Sequence, residues 1–376
     1  MKRSLLVFAL FLSVVVIPIG LVVIGVMLSG LHSAKVQPGA TQPADRASAV
    51  AARYAPVFLQ ELPQQGLAPA HWDYLCAMNF DGDWNPLNNL QNLEAEPDGQ
   101  QWQPTVYYSL LETKSHFFIT YTLFHPLEWS QEAQHVRKSY ENDIKTLQLV
   151  VKKDNKESSQ GTIWLVAIQA HESVKFYKLA HARMSMNDTE TKFETVPIVL
   201  ANEMGVPITG GTHPVIVIAQ GHHYLGMPEE RPDLFQDLGR CILKQGLTYL
   251  PIATSPLQQE PQRPTKAYHL DDIYETMWSK WREHAAQFTI QSFFDYEDAL
   301  LAHEAIPLYL ANQPLEGTKS TLPNPNILPF AFGKGLHKNS QGRFFFNPVD
   351  AYRNSFEVHQ WSLVYLFHPY AAEMAK

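Results

Sequence analysis

"HFFITYTLFHP", residues 116–126, decides the fold class. Phe117, Ile119, Tyr121 and Leu123 recur at every second position, the spacing of a strand with one buried face. "TVYYSLLE" (105–112) precedes it across a short charged turn, so the two form a hairpin. Downstream, "DIKTLQLVVKKD" (143–154) alternates through Leu147, Leu149 and Val151, and the polar turn "NKESSQG" leads into "TIWLVAIQAHESVKFYKL" (162–179). "HPVIVIAQGHH" (213–223) has the length and β-branching of a buried strand. No helical pattern separates these strands, which favours a mostly antiparallel packing over an α/β fold. The expectation is a mostly β chain, an antiparallel β-sandwich over residues 49–260.

The last third changes character. "LDDIYETMWSKWREHAAQF" (270–288) has helical spacing, with Ile273, Met277, Trp278 and Trp281 on one stripe, best read as core packing. "DYEDALLAHEAI" (295–306) suggests a second helix, proline-rich loops follow, and "HQWSLVYLF" (359–367) closes as a strand. Residues 261–376 are therefore expected to be a helical, loop-rich C-terminal addition packing on the sandwich.

At the other end, "SLLVFALFLSVVVIPIGLVVIGVMLSGL" (4–31) follows Lys2 and Arg3 with no charge until Lys35. About 20 apolar residues span a bilayer as a helix, and a cleavable signal has an apolar centre of only about 7–15. Residues 1–33 thus read as one uncleaved transmembrane anchor and 34–48, "AKVQPGATQPADRAS", as a linker. With Lys2 and Arg3 inside, the remainder faces the extracytoplasmic side, the periplasm in a bacterium. The membrane is then a partner through that helix.

The chain has 376 residues, 45% hydrophobic and 18% charged, enough for a sizeable core. A net charge of −8 with no long basic run excludes a general nucleic-acid binder. Cys76 and Cys241, the two cysteines, form either a bridge in an oxidising compartment or two buried thiols.

Candidate chemistry sits in two polar clusters and at strand ends. In "NFDGDWNPLNNLQNL" (79–93), Asp81, Asp83 and Asn85 alternate as oxygen ligands do in a calcium or magnesium loop. Pro86 and Asn92 stand where an EF-hand needs glycine and glutamate, so the rival reading is a turn bonded to its own backbone. "YENDIKTLQLVV" (140–151) places Glu141 and Asp143 at a strand mouth, where oxygens can face a common cleft. His125, His171, His222 and His223 lie at the ends of strands, where they can converge. The metal candidates are Asp81, Asp83 and Asp143, with Ca2+ or Mg2+ as the ion. Glu141, His171 and His223 are ligand-binding candidates, and Asp143 and His222 catalytic ones. Nucleophile-elbow, zincin, P-loop and C-x-x-C signatures are missing.

Together "RYAPVFLQE", "FDGDWNPLNN", "YENDIKTLQLVV" and "HPVIVIAQGHH" resemble, over roughly residues 50–225, the relatives of the vacuolar protein sorting-associated protein 62 family. That group is in turn distantly similar to necrosis-inducing toxin-like proteins. The resemblance implies a β-sandwich with an acidic, cation-binding cavity at one edge, supplied in the toxin-like relatives by a G-H-R-H-D-W-E type segment. Those relatives are associated with sphingolipid headgroup recognition and membrane damage. Aligned on its aspartate, that segment falls on Ser139 to Lys145; Asp143 is kept, Tyr140 and Asn142 replace the histidines, and Lys145 replaces the final glutamate. Three functions follow: a membrane-anchored binder of a lipid or glycan headgroup through a cation-assisted cleft, a metal-assisted hydrolase of phosphate esters or glycosides, or an envelope scaffold without pocket chemistry. In the hydrolase, Asp143 would orient water and His222 would move protons.

Overall fold

The computed structural model describes residues 35–36, 44–84, 88–95, 98–99, 101–129, 140–170, 173–179, 182, 185–186, 192–252, 263–276, 279, 345, 348–357 and 361–369. The apolar segment expected to anchor the chain lies outside these residues, as do "DYEDALLAHEAI" and the expected helical stripe at Met277, Trp278 and Trp281. Among the described residues no helix is long and apolar enough to cross a membrane.

The elements, in chain order, are α1 (Ala44–Tyr54), β1 (Val57–Glu61), α2 (Asn89–Ala95), β2 (Thr105–Thr113), β3 (His116–Glu128), β4 (Tyr140–Lys153), β5 (Gly161–Ala170), β6 (Ser173–Lys178), β7 (His213–Ile218), β8 (Leu225–Gly226), β9 (Gly246–Pro251), β10 (Thr265–Asp272), α3 (Pro348–Ser355) and β11 (Val364–Phe367). Helix α1 begins at Ala44, inside the stretch expected as a linker. "LDD" at the head of the expected C-terminal helix is instead the end of β10, because Leu270 to Asp272 pair with Val106 to Tyr108 of β2. A strand already seated in the sheet has its backbone bonds satisfied there, and the helical spacing of its side chains loses to them.

The strands run β8-β7-β1-β9-β10-β2-β3-β4-β5-β6, with β11 branching from β2. From β2 to β6 each pair is antiparallel, which gives the hairpins expected from the sequence. The expected antiparallel sandwich is nevertheless corrected to one curled, mixed sheet. β7 is parallel to β1, and β10 is parallel to both β9 and β2. β7 and β1, and β10 and β2, come from distant parts of the chain, so local alternation carries no trace of their pairing.

The curl follows from how apolar side chains divide between faces. Phe117, Ile119, Tyr121 and Leu123 of β3 enclose one core with Leu147, Leu149 and Val151 of β4, as their spacing predicts. Phe58, Ile216 and Ile218, from the other end of the strand order, join the same core. The alternate residues Val57, Leu59, Val215 and Val217 face outward and are covered by Phe235, Cys241 and Leu250. On the outer face of β3, Phe118 stacks on Tyr352 of α3 with centroids 6.0 Å apart. Lys175 and Tyr177 of β6 both bond the Glu230 carboxylate beyond β8, at 3.0 Å, so the last strand of the order is tied to the segment that follows the first. Cys76 and Cys241 are both buried free thiols.

Candidate functional site

The inward rows of β3 and β4 end in polar residues. His125 continues the row of Phe117 to Leu123, and its cross-strand partner is Asp143. A third group arrives on the turn between β7 and β8, where His223 has a left-handed φ of 49°. Few non-glycine residues adopt that conformation, and those that do are held by their surroundings. Gly221 makes the approach possible: a Cβ there would meet the Trp129 carbonyl oxygen at 2.6 Å. Asp73 enters from a short 3-10 helix, Ala70–Asp73, and is fully buried.

Six side chains, from Asp73 to His222, then form one hydrogen-bonded chain. Asp73 Oδ1 lies 2.9 Å from His223 Nε2, and His223 Nδ1 lies 2.8 Å from Asp143 Oδ2. The Lys145 ammonium donates to Asp143 Oδ1 at 2.6 Å and to Glu128 Oε2 at 3.1 Å. Glu128 Oε1 meets His222 Nδ1 at 2.9 Å. Asp73 Oδ1 also accepts from Trp129 Nε1 at 2.7 Å and from the Gly221 N–H at 2.9 Å. The His125 ring lies flat on that of His223, with centroids 3.8 Å apart, and its Nε2 faces Gln60 Oε1.

Protonation follows from these bonds. An ionised carboxylate accepts only, so a histidine between two of them donates from both nitrogens and is an imidazolium. Burial alone would lower the His223 pKa, but bonds to Asp143 and Asp73 raise it to about 9. Burial pushes the Asp143 carboxyl up, yet Lys145 and His223 hold it well below the carboxylate range. His125, buried and stacked on a cation, stays neutral with its pKa far below the usual value. Two buried atoms of the cluster, Asp73 Oδ2 and His125 Nδ1, have no hydrogen-bond partner among the described residues.

His125, Asp143 and His223 bring one ligand atom each within 4.8 Å of one another, the spacing of a metal site. As bonded, they do not fit one. Both His223 nitrogens are engaged with carboxylate oxygens, and an ammonium already bonds Asp143. The sequence candidates separate accordingly. Asp143, His222 and His223 are brought together, while Asp81 and Asp83 turn their oxygens elsewhere. Asp81 accepts from the Asp83 N–H at 3.2 Å and from Asn92 Nδ2 at 2.5 Å, and Asp83 accepts from Asn88 Nδ2 at 3.1 Å. Gly82 has φ 94°, as a tight turn requires. Glu141 belongs to β4, its side chain outside the described set, and His171 lies outside the described residues altogether.

Asp73, Glu128 and Lys145 were absent from the sequence candidates. For Glu128 and Lys145 a signal existed, since both lie on the strands that end in His125 and Asp143. Asp73, in "AHWDYL", offered none. The outer part of the chain is the accessible part. Side-chain exposure rises from 0% at Asp73 and His223 to 12% at Lys145 and 40% at His222. There the Tyr224 ring stacks beside His222 at 5.4 Å, with Lys145 Nζ 5.6 Å from its centre. A separate cavity of about 750 Å³ opens beside Arg53, Tyr54, Leu179, Ile198 and Ile208, and no carboxylate or histidine is among the described residues lining it.

No family model matches the chain, and no curated protein matches it. Solved structures with some likeness are toxin-fold proteins of the necrosis-inducing type. One, "Toxin fold for microbial attack and plant defense", is 15% identical, with 64% of this chain and 90% of that one covered and a TM-score of 0.29. NLPPya, solved with glucosamine, is 17% identical over 62% of this chain and 78% of its own, with a TM-score of 0.26. The non-toxic HaNLP3 protein is 10% identical over 50% and 71%, with a TM-score of 0.27. Scores of this size establish no common superposition, and the functional reading falls to the side chains themselves.

Proposed function

We propose that the outer end of the charged chain binds the sugar part of a headgroup, free or carried on a lipid. One observation supports this reading: Glu128, Lys145 and His222 present acceptor, donor and imidazole side by side next to the half-buried Tyr224 ring. A sugar offers hydroxyls that both give and take hydrogen bonds and C–H faces that lie against an aromatic ring. A few converging polar groups beside an apolar surface are the usual make-up of a small-ligand site. With residues 1–33 as an anchor and Lys2 and Arg3 inside, the domain that carries this site would lie on the extracytoplasmic side.

Calorimetric titration of the full chain with glucosamine, mannosamine and glucose tests the reading. Saturable binding is expected, weakened at least about tenfold in Tyr224→Ala, since losing an aromatic contact of about 1.4 kcal/mol is a factor of ten. Binding that also requires vesicles bearing a glycosylated lipid would identify a lipid-carried headgroup. No saturable response to any sugar, free or on vesicles, would remove the proposal.

A further inference from the structure

We infer that the Lys145 ammonium is the resident cation of this site, standing where a divalent ion would otherwise join Asp143 to Glu128, and that it makes the protein independent of Ca2+ and Mg2+. The bridge is the first ground. Nζ contacts one oxygen of each carboxylate, 2.6 Å from Asp143 Oδ1 and 3.1 Å from Glu128 Oε2. Those carboxylates sit on neighbouring strands, and a single positive charge between them offsets their mutual repulsion. The second ground is burial: Asp143 is 1% exposed and Glu128 8%, so neither can rely on bulk water for its solvation. The third is the state of the neighbouring ligand candidates. The oxygens of Asp143 are divided between Lys145 and His223, and both His223 nitrogens already face carboxylate oxygens, of Asp73 and Asp143. A divalent ion entering here would have to displace the ammonium. A tethered cation also pre-organises the outer acceptor, because Glu128 is held toward His222 before any ligand arrives.

This inference concerns the ion inside the site and not the ligand outside it, so failure of sugar binding leaves it standing. The measurement is the thermal midpoint and calorimetric titration of the full chain with CaCl2 and MgCl2. The native chain is expected to show no saturable binding and no rise in midpoint, since an ion that bound only the folded state would raise it. Lys145→Gln is expected to melt lower, to regain stability with millimolar Ca2+ or ethylammonium, and to lose that response when Asp143→Asn is added. Saturable binding by the native chain that disappears in Asp143→Asn would overturn the inference. So would a Lys145→Gln chain that no cation stabilises. If Lys145→Gln does not fold, Lys145→Arg decides: folded and blind to Ca2+ supports the tethered cation, and a Ca2+-dependent midpoint overturns it.

Discussion

A proton on His223 is what allows two buried carboxylates to approach one ring. The folded-state pKa of about 9 lies above the ordinary 6.5, so the native protein holds this proton over a range in which the unfolded chain releases it. The stabilisation is therefore complete below about pH 6.5 and is lost as pH rises toward about 9. A displacement of that size corresponds to on the order of 3 kcal/mol. Other buried histidines, His116 and His125 among them, act in the opposite direction. Burial lowers His116 from 6.5 to about 3 and holds His125 well below 6.5, so both are neutral in the fold and charged in the acid-unfolded chain. Their contribution is present above 6.5 and is lost as pH falls. Urea unfolding across pH 5–9 is expected to give a stability maximum near neutrality, with His223→Gln flattening only the alkaline limb. An alkaline limb of unchanged slope in that variant would mean that His223 is not protonated in the native state. None of this was legible in the residue letters. His222 and His223 stood out at a strand end, but a histidine's charge depends on Asp73, which lies 150 positions away in the chain.

At the scale of elements, what the sequence revealed and what it hid divide along contact range. The alternation in β3 and β4 correctly assigned the inner face, because a strand's period is a local property and both strands are joined by hairpin pairing. The parallel placement of β10 beside β2 left no local mark, and its Asp271 and Asp272 imitated the acidic start of a helix. The turn at Asp81 shows the same limit in reverse. Its alternating oxygens look the same whether they await an ion or bond neighbours, and in the fold they accept bonds from Asn88 and Asn92. Core position and polar tether can be separated by substitution. Leu149 is fully buried in the middle of β4, and Leu149→Ala is expected to cost about 2–5 kcal/mol. Tyr121 shares that core and donates its hydroxyl to the Ala51 carbonyl of α1 at 2.7 Å. Tyr121→Phe keeps the ring and removes one donor, for about 1–3 kcal/mol, because the buried carbonyl loses that partner. Denaturant unfolding of the full chain checks both, and equal losses would contradict a sheet whose stability comes mainly from inner-face packing.

For the sheet as a whole, the question is what keeps a curled edge from opening. An unpaired sheet edge offers its backbone to other chains, and natural sheets cover or close such edges. Here closure runs through one carboxylate. Glu230 accepts from Lys175 and Tyr177 of β6 and from the Met227 N–H next to β8, each at 3.0 Å. Tyr177 is fully buried, and beside the Glu230 carboxylate its hydroxyl is pushed well above its ordinary pKa by burial first and by that charge second. The seam leaves little room: a Cβ on Gly226 would meet Glu230 Oε2 at 2.6 Å. Two substitutions thus act on the same contact from opposite sides. Glu230→Ala strips Tyr177 of its acceptor and should cost about 1–3 kcal/mol, with faster amide exchange in β6 and β8 and little change in β3. Gly226→Ala pushes the flexible carboxylate aside without deleting it, so the same amides should respond in the same pattern but less strongly. Because the polar site lies on the turn that leads into β8, sugar binding should weaken along with exchange protection in both variants. Exchange that rises uniformly over the sheet would show that Glu230 merely adds stability, and that the seam is not a separate closing element.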